Sequence, residues 1–201
     1  MTQLPLPLAY RRGGSEADFF VSAANADAVA WLDRWPDWPH PQALLVGAEG
    51  AGKSHLARLF ALRSGATVID PAAATPAETL FHAWNAATVA RPLLIVSRTV
   101  PRPALADLAS RLAATPTLAI ADPDDALLAA VLAKAFADRG LRVAPGVADY
   151  VLARTERSFV AVHAIAAALD AASLAAGRAI TVPIARAVLA GTVIDLSCEP
   201  G

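Results

Sequence analysis

Residues Ala43 to Phe60 read ALLVGAEGAGKSHLARLF, and the reading of this stretch decides the fold. An apolar run, Ala43-Leu44-Leu45-Val46, leads into Gly47-Ala48-Glu49-Gly50-Ala51-Gly52-Lys53-Ser54, after which Leu56, Leu59 and Phe60 recur at helical spacing. This is G-x-x-x-x-G-K-[ST] between a buried strand and a helix, the context the motif requires. A loop that wraps a phosphate turns backbone N–H groups inward, and glycines at 47, 50 and 52 permit the positive φ and close approach this needs. A helix starting at about Lys53 adds its positive N-terminal end. Lys53 is then the side chain for the β- and γ-phosphates, and the Ser54 hydroxyl a ligand for Mg²⁺. The chain has 15 arginines and only two lysines, Lys53 and Lys134, so a lysine here departs from the chain's own preference. The alternative is an ordinary glycine-rich strand-to-helix turn.

A length of 201 residues allows one domain with a small appendage. With 56% hydrophobic and 6% aromatic residues, much of the apolar content is alanine, which suits helices packed closely on a modest sheet. A formal net charge of -1 supplies no global field for nucleic acid or an anionic membrane surface. One cysteine, Cys198, excludes an intrachain disulfide and fits a reducing compartment. No basic-plus-apolar leader opens the sequence and no uninterrupted apolar stretch reaches about 18 residues, so a cytoplasmic location without membrane contact is expected.

Residues 1 to 17 differ from the rest. Pro5 and Pro7 forbid regular helix while Leu4, Leu6 and Leu8 stand beside them, and Arg11-Arg12-Gly13-Gly14 reads as a flexible joint. Asp18 to Trp38 holds a helix through Ala28, Val29, Trp31 and Leu32, with Ser22 or Asn25 as N-cap and prolines at 36, 39 and 41 ending it. Its aromatic residues are core candidates, although Phe19, Phe20 and Val21, just upstream of the glycine loop, are also candidates to line an adenine slot. Downstream, strands at Thr67 to Asp70, Leu93 to Arg98 and Thr117 to Ala121 alternate with helices at Glu78 to Val89 and Leu105 to Ala113, the pattern of parallel βαβ units. From Asp122 the strand signal stops. Helical stretches follow at Asp124 to Asp138, Pro145 to Leu152, Val160 to Ala175 and Pro183 to Leu189. The expected organisation is an N-terminal segment over 1–17, a P-loop α/β domain over 18–121, an all-helical lid over 122–195 and a tail over 196–201.

A P-loop, a short parallel sheet and a helical lid together resemble the AAA+ class of nucleotide-binding domains. Within it the chain resembles the DnaA-related regulators of the Hda type, the alphaproteobacterial branch in particular. The residues that carry this are QLPLPL at 3–8, DFFVSAANADAVAWLDRWPDWP, GAEGAGKSHLARLF, LFHAWNAA, LLIVSRT, LASRLAA, DDALLAAVLAKAFADRGL and ERSFVAVHAIAAALD, in the family's order and across nearly the whole chain. The resemblance implies a protein that binds ADP or ATP with Mg²⁺, attaches to the replication sliding clamp, and promotes hydrolysis of the ATP held by the initiator DnaA. It implies that Gln3 enters a polar subsite of the clamp and Leu4, Leu6 and Leu8 a hydrophobic pocket. Gly47, Gly52, Lys53 and Ser54 would bind phosphates, and Arg98 would occupy the sensor 1 position. Arg111 matches the arginine finger offered to a neighbouring subunit's nucleotide, a task suited to a guanidinium, which stays charged and pairs bidentately with phosphate oxygens. The bland alternative for Arg111 is a solvated helix residue.

The sequence also departs from the family. A hydrolase of this class needs a strand ending in an aspartate that orders Mg²⁺, followed by an acid that prepares water. No such pair occurs here: Asp70 is followed by Pro71, and the interval from Lys53 to Phe81-His82 is short by roughly one strand and one helix. Asp70 is either the metal-side aspartate of a fused strand or the end of the strand beside it. Intrinsic ATP hydrolysis is therefore expected to be very slow. Counting six residues back from Leu169, the family's sensor 2 position falls on His163, whose largely neutral imidazole contacts phosphate more weakly than arginine. Arg154 or Arg157 are substitutes, and a partly buried helix histidine is the competing reading for His163. His40, His55 and His82 show no metal spacing.

Two further functional readings stay open at this point: a P-loop ATPase whose acid is Glu78 or Asp70, and a nucleotide-free scaffold in which the loop is only a turn. No basic stripe marks a sequence-specific DNA reader. The alanine-rich lid leaves a homodimer open.

Overall fold

The structure, a computed structural model, describes residues 9–13 and 17–191. Gln3, Leu4, Leu6, Leu8, Cys198 and the tail over 196–201 lie outside the described residues. The chain divides into two compact units between Asp122 and Pro123.

The first unit opens with a hairpin. Strand β1 (Ala9–Gly13) pairs antiparallel with β2 (Ala17–Val21), with Tyr10 opposite Phe20 and Arg12 opposite Asp18. This corrects the expectation of a flexible joint at Arg11 to Gly13. The prolines restrict only their own positions and neighbours, and β2 supplies a partner for the five residues that follow them. After β2, helix α1 (Ala26–Asp33) begins at Asn25, but Asn25 does not cap it through its side chain. Its Oδ1 accepts from the Ser22 N–H at 3.0 Å and its Nδ2 donates to the Phe20 carbonyl at 3.1 Å, so Asn25 ties β2 to the helix start.

The main sheet has four parallel strands in the order β4-β5-β3-β6: β3 (Gln42–Val46), β4 (Thr67–Ile69), β5 (Leu93–Ser97) and β6 (Thr117–Ala119). Leu44 lies opposite both Ile95 and Thr117, so β3 is an interior strand. Because side chains alternate along a strand, β3 and β5 feed two cores. Ala43, Leu45, Leu94 and Val96 meet α1 and α2 (Lys53–Ser64), with Trp38 stacked on Phe60 at 5.0 Å. Leu44, Leu93 and Ile95 face the other way, onto Leu80 of α3 (Ala77–Ala86) and Leu108 and Leu112 of α4 (Ala106–Ala114). With both faces covered, the strands read as continuous apolar runs. Helix α2 stops at Gly65, whose left-handed φ of 70° lets its N–H close back on the Ala61 carbonyl at 2.9 Å.

The second unit is helical: α5 (Asp125–Asp138), α6 (Val147–Leu152), α7 (Phe159–Ala176) and α8 (Val182–Leu189). Asp124 caps α5, accepting the Leu127 N–H at 2.7 Å, and Ser158 caps α7, accepting the Ala161 N–H at 3.1 Å. Val162, Ile165, Ala166 and Leu169 of α7 form a stripe that packs on Leu132 and Phe136 of α5, Val151 of α6 and Ala185 of α8. By length and composition α7 is apolar enough to cross a membrane. In this fold that composition supplies the lid core on one face and alanine-rich surface on the other.

Candidate functional site

The glycine loop leaves the C-terminal end of β3, where the neighbouring strands β5 and β6 come from different parts of the chain. Open α/β sheets bind ligands at such ends. Gly47 lies against the end of β6: a Cβ there would stand 2.4 Å from the Ile120 carbonyl oxygen, so the position admits only glycine without backbone movement. Gly50 and Gly52 have φ of 75° and 90°, and Gly52 is the left-handed residue from which α2 starts. The loop thus has the backbone conformation its glycines permit, with the α2 N-terminus behind it.

Lys53 is only 9% exposed, and its Nζ donates to the Ala48 carbonyl within the loop at 2.5 Å. Burial lowers its pKa, and the negative charge of Asp70 partly restores it. Asp70 follows β4 at the same end of the sheet, so the fold brings its charge into range of Lys53 although β5 separates β4 from β3. Ser54 and Asp70 are both exposed. A hydroxyl and a carboxylate beside a phosphate loop are the oxygen donors that Mg²⁺ accepts together with nucleotide phosphates. Among the described residues no group of three or more His, Cys, Asp or Glu side chains forms a metal cage.

Arg98 follows the last residue of β5. Alternation turns Ser97 toward α3 and α4, and Arg98 toward the α2 side, where it forms an ion pair with Glu49 of the glycine loop. Both side chains are largely exposed, so the pair adds little stability. Its significance is positional, since it shows that the Arg98 guanidinium lies beside the loop. Phe19 stacks on His55 at 5.7 Å, next to Ser54 on α2, and Val21 packs on the same core as Phe19. Phe20 alternates to the opposite face of β2. The ring beside the P-loop helix is therefore that of Phe19, while Phe20 serves Asn25 through its carbonyl.

Arg111 is elsewhere. It lies on α4, on the α3 side of the sheet, across from α2, and among the described residues its hydrogen bonds and ring contacts are with α3 and α4. Its Nε donates to both Asp107 carboxylate oxygens at 3.0 Å and its Nη1 to Asn85 Oδ1 at 3.0 Å, while its Cζ lies 4.7 Å from the Trp84 ring centre. Arg111 is thus tied to α3 as well as to its own helix. Sequence reasoning passed over Asn85 and Trp84 because only the α3–α4 packing brings them to Arg111.

In the helical unit His163 is exposed on α7, opposite the buried stripe, which corrects the reading of it as a partly buried helix histidine. The arginines considered as its substitutes have partners within the lid. Arg157 pairs with Asp125 at 2.7 Å, and Arg154 lies 4.0 Å from the Tyr150 ring centre and donates to the Tyr150 carbonyl.

Residues 124–189 match the family described as Hda, lid domain. The whole fold is similar to domain III of the Thermotoga maritima replication initiation protein DnaA, with a TM-score of 0.69 at 14% identity over 88% of this chain and 95% of that one. It is also similar to the Thermotoga maritima Holliday junction branch migration motor RuvB, with a TM-score of 0.59 at 15% identity over 84% of this chain and 67% of that one. A third similar structure is the replication initiator DnaA bound to AMPPCP and single-stranded DNA, with a TM-score of 0.58 at 14% identity. The match covers 74% of this chain and spans 62% of that one. No curated protein matches the chain by sequence. The fold is thus that of DnaA domain III, an α/β unit with a helical lid, and the helical unit is the part that matches the Hda lid family.

Proposed function

We propose that this protein is a cytoplasmic, nucleotide-binding regulator of replication initiation that acts on DnaA while tethered to the sliding clamp. The observation that carries the reading is the combination of an Hda-type lid over residues 124–189 with a DnaA-like fold. The glycine loop, Lys53 and the α2 N-terminus supply the phosphate cradle for ADP or ATP. Ser54 and Asp70 are the donors toward Mg²⁺, which when bound would neutralise phosphate charge. Phe19 and Val21 line the base side and Arg98 reaches the phosphate end; His163, at the sensor 2 position that the resemblance implies, is the helical unit's own candidate for phosphate contact. Gln3, Leu4, Leu6 and Leu8 form the clamp-binding peptide. Arg111, turned away from the chain's own loop, serves the nucleotide of DnaA in trans. With Pro71 after Asp70 in place of a second acid, the chain hydrolyses its own nucleotide very slowly.

Hydrolysis of DnaA-bound ATP in the presence of this chain and DNA-loaded clamp tests the reading. Stimulation is expected, with loss on Arg111→Ala and on Gln3→Ala with Leu4→Ala. Clamp binding unaffected by the latter pair sinks the tether. Separately, ADP with Mg²⁺ at 100 times its Kd raises stability by about 2.7 kcal/mol. No thermal shift under those conditions would leave the glycine loop as a structural turn, and steady-state turnover lost on Lys53→Ala would make the chain an ATPase.

A further inference from the structure

The Arg111 guanidinium is held by Asp107 one turn back on its own helix and by residues of α3 distant in sequence, and the holding set is itself anchored in the sheet. Asp107 takes Nε, Asn85 takes Nη1, and the rings of Trp84 and Phe81 lie 4.7 and 5.4 Å from Cζ. Trp84 is fixed in turn: its carbonyl accepts from Gln42 Nε2 at 2.9 Å, and its indole N–H donates to Thr115 Oγ1 at 3.3 Å. The Thr115 hydroxyl donates onward to the Arg111 carbonyl at 2.8 Å. Gln42, on β3, and Thr115, after α4, are each only 7% exposed, so the ring is braced by buried groups. The Arg111 side chain nevertheless remains 34% exposed.

From this arrangement we infer that Trp84, Asn85 and Asp107 are positioning residues that hold Arg111 in one orientation for a phosphate on a second protein. The inference rests on the trans role proposed for Arg111. Arginine carries five N–H donors in a planar fork. Nε and one Nη1 hydrogen are engaged, and Nη2 makes no hydrogen bond among the described residues. The Nη2 edge is thus the part offered to an acceptor. An arginine ordered before encounter loses less rotamer freedom on capture than one ordered by the partner. Asp107 and Asn85 fix the plane of the fork, and the Trp84 face fixes its tilt.

The test measures hydrolysis of DnaA-bound ATP with the full chain and DNA-loaded clamp, as the maximal stimulated rate and as the concentration giving half of it. Asn85→Ala combined with Asp107→Ala, both changes on exposed residues, is expected to lower the maximal rate about tenfold and leave the half-maximal concentration within about twofold. Trp84→Leu is expected to do the same, with Trp84→Phe restoring most of the rate because an aromatic face returns. An unchanged rate in the Asn85/Asp107 variant, with Arg111→Ala inactive, overturns the inference and leaves the trans role standing. A raised rate overturns it too, because Asp107 would then be a latch that withholds Arg111. If Arg111→Ala stimulates as well as the unaltered chain, the trans role itself falls, and the inference with it.

Discussion

Lys53 and Arg111 are the two cations on which the reading turns, and they are held in opposite ways. Lys53 is buried after the C-terminal end of β3, its ammonium resting on the Ala48 carbonyl five residues before it. Arg111 is partly exposed on the other side of the sheet, fixed by Asn85 and Trp84 from another helix, with Gln42 near the opposite end of β3 bracing the set. One strand thus supports both groups while keeping them apart. A cation meant for the chain's own ligand belongs in a pre-formed loop, and one meant for a partner has to stand on the surface without wandering.

The comparison breaks most readily at Lys53. Lys53→Ala is expected to weaken ADP binding by about 1.5–3 kcal/mol, the scale of hydrogen bonds to charged groups, measured by calorimetry. Arg111→Ala should leave that affinity unchanged. If both substitutions weaken ADP binding alike, the two cations do not serve separate nucleotides.

Gly47→Ala comes next, because the added Cβ meets the backbone of Ile120 at 2.4 Å and no side chain can move aside. A loss of about 1–3 kcal/mol in urea unfolding is expected. Retention of wild-type stability would mean that the end of β6 yields freely. In the helical unit, Ser158→Ala removes the cap of α7 and should cost about 1 kcal/mol, with no change in ADP affinity.

The smallest effect sharpens the electrostatics. Burial holds the Lys53 pKa below that of an ordinary lysine and Asp70 pulls it back up, so Lys53 loses its proton earlier than usual as pH rises. ADP affinity should therefore begin to fall at a lower pH than an ordinary lysine would give, and Asp70→Asn should move that fall to still lower pH. Between the folded and unfolded pKa values of Lys53 the unfolded chain binds more protons, so this group makes stability rise with pH across that window. A pH profile identical in Asp70→Asn would remove Asp70 from the site.

The glycine loop, the strand that feeds it and the helix that leaves it are decided by residues within a few positions of one another. Backbone conformation and local hydrogen bonds answer to near neighbours, so these were legible in the sequence, as was the switch from alternating strands to helices near residue 122. The pairing of β1 with β2, the approach of Asp70 to Lys53, the turning of Arg98 onto Glu49 and the bracing of Arg111 by Trp84 and Asn85 were not. Each joins residues whose closeness depends on strand order and on how helices settle on the sheet, and those follow from packing of the whole core. The sequence by itself determined which side chains are candidates for chemistry, because side-chain type is local. Only the tertiary structure decided which of them meet and which face outward.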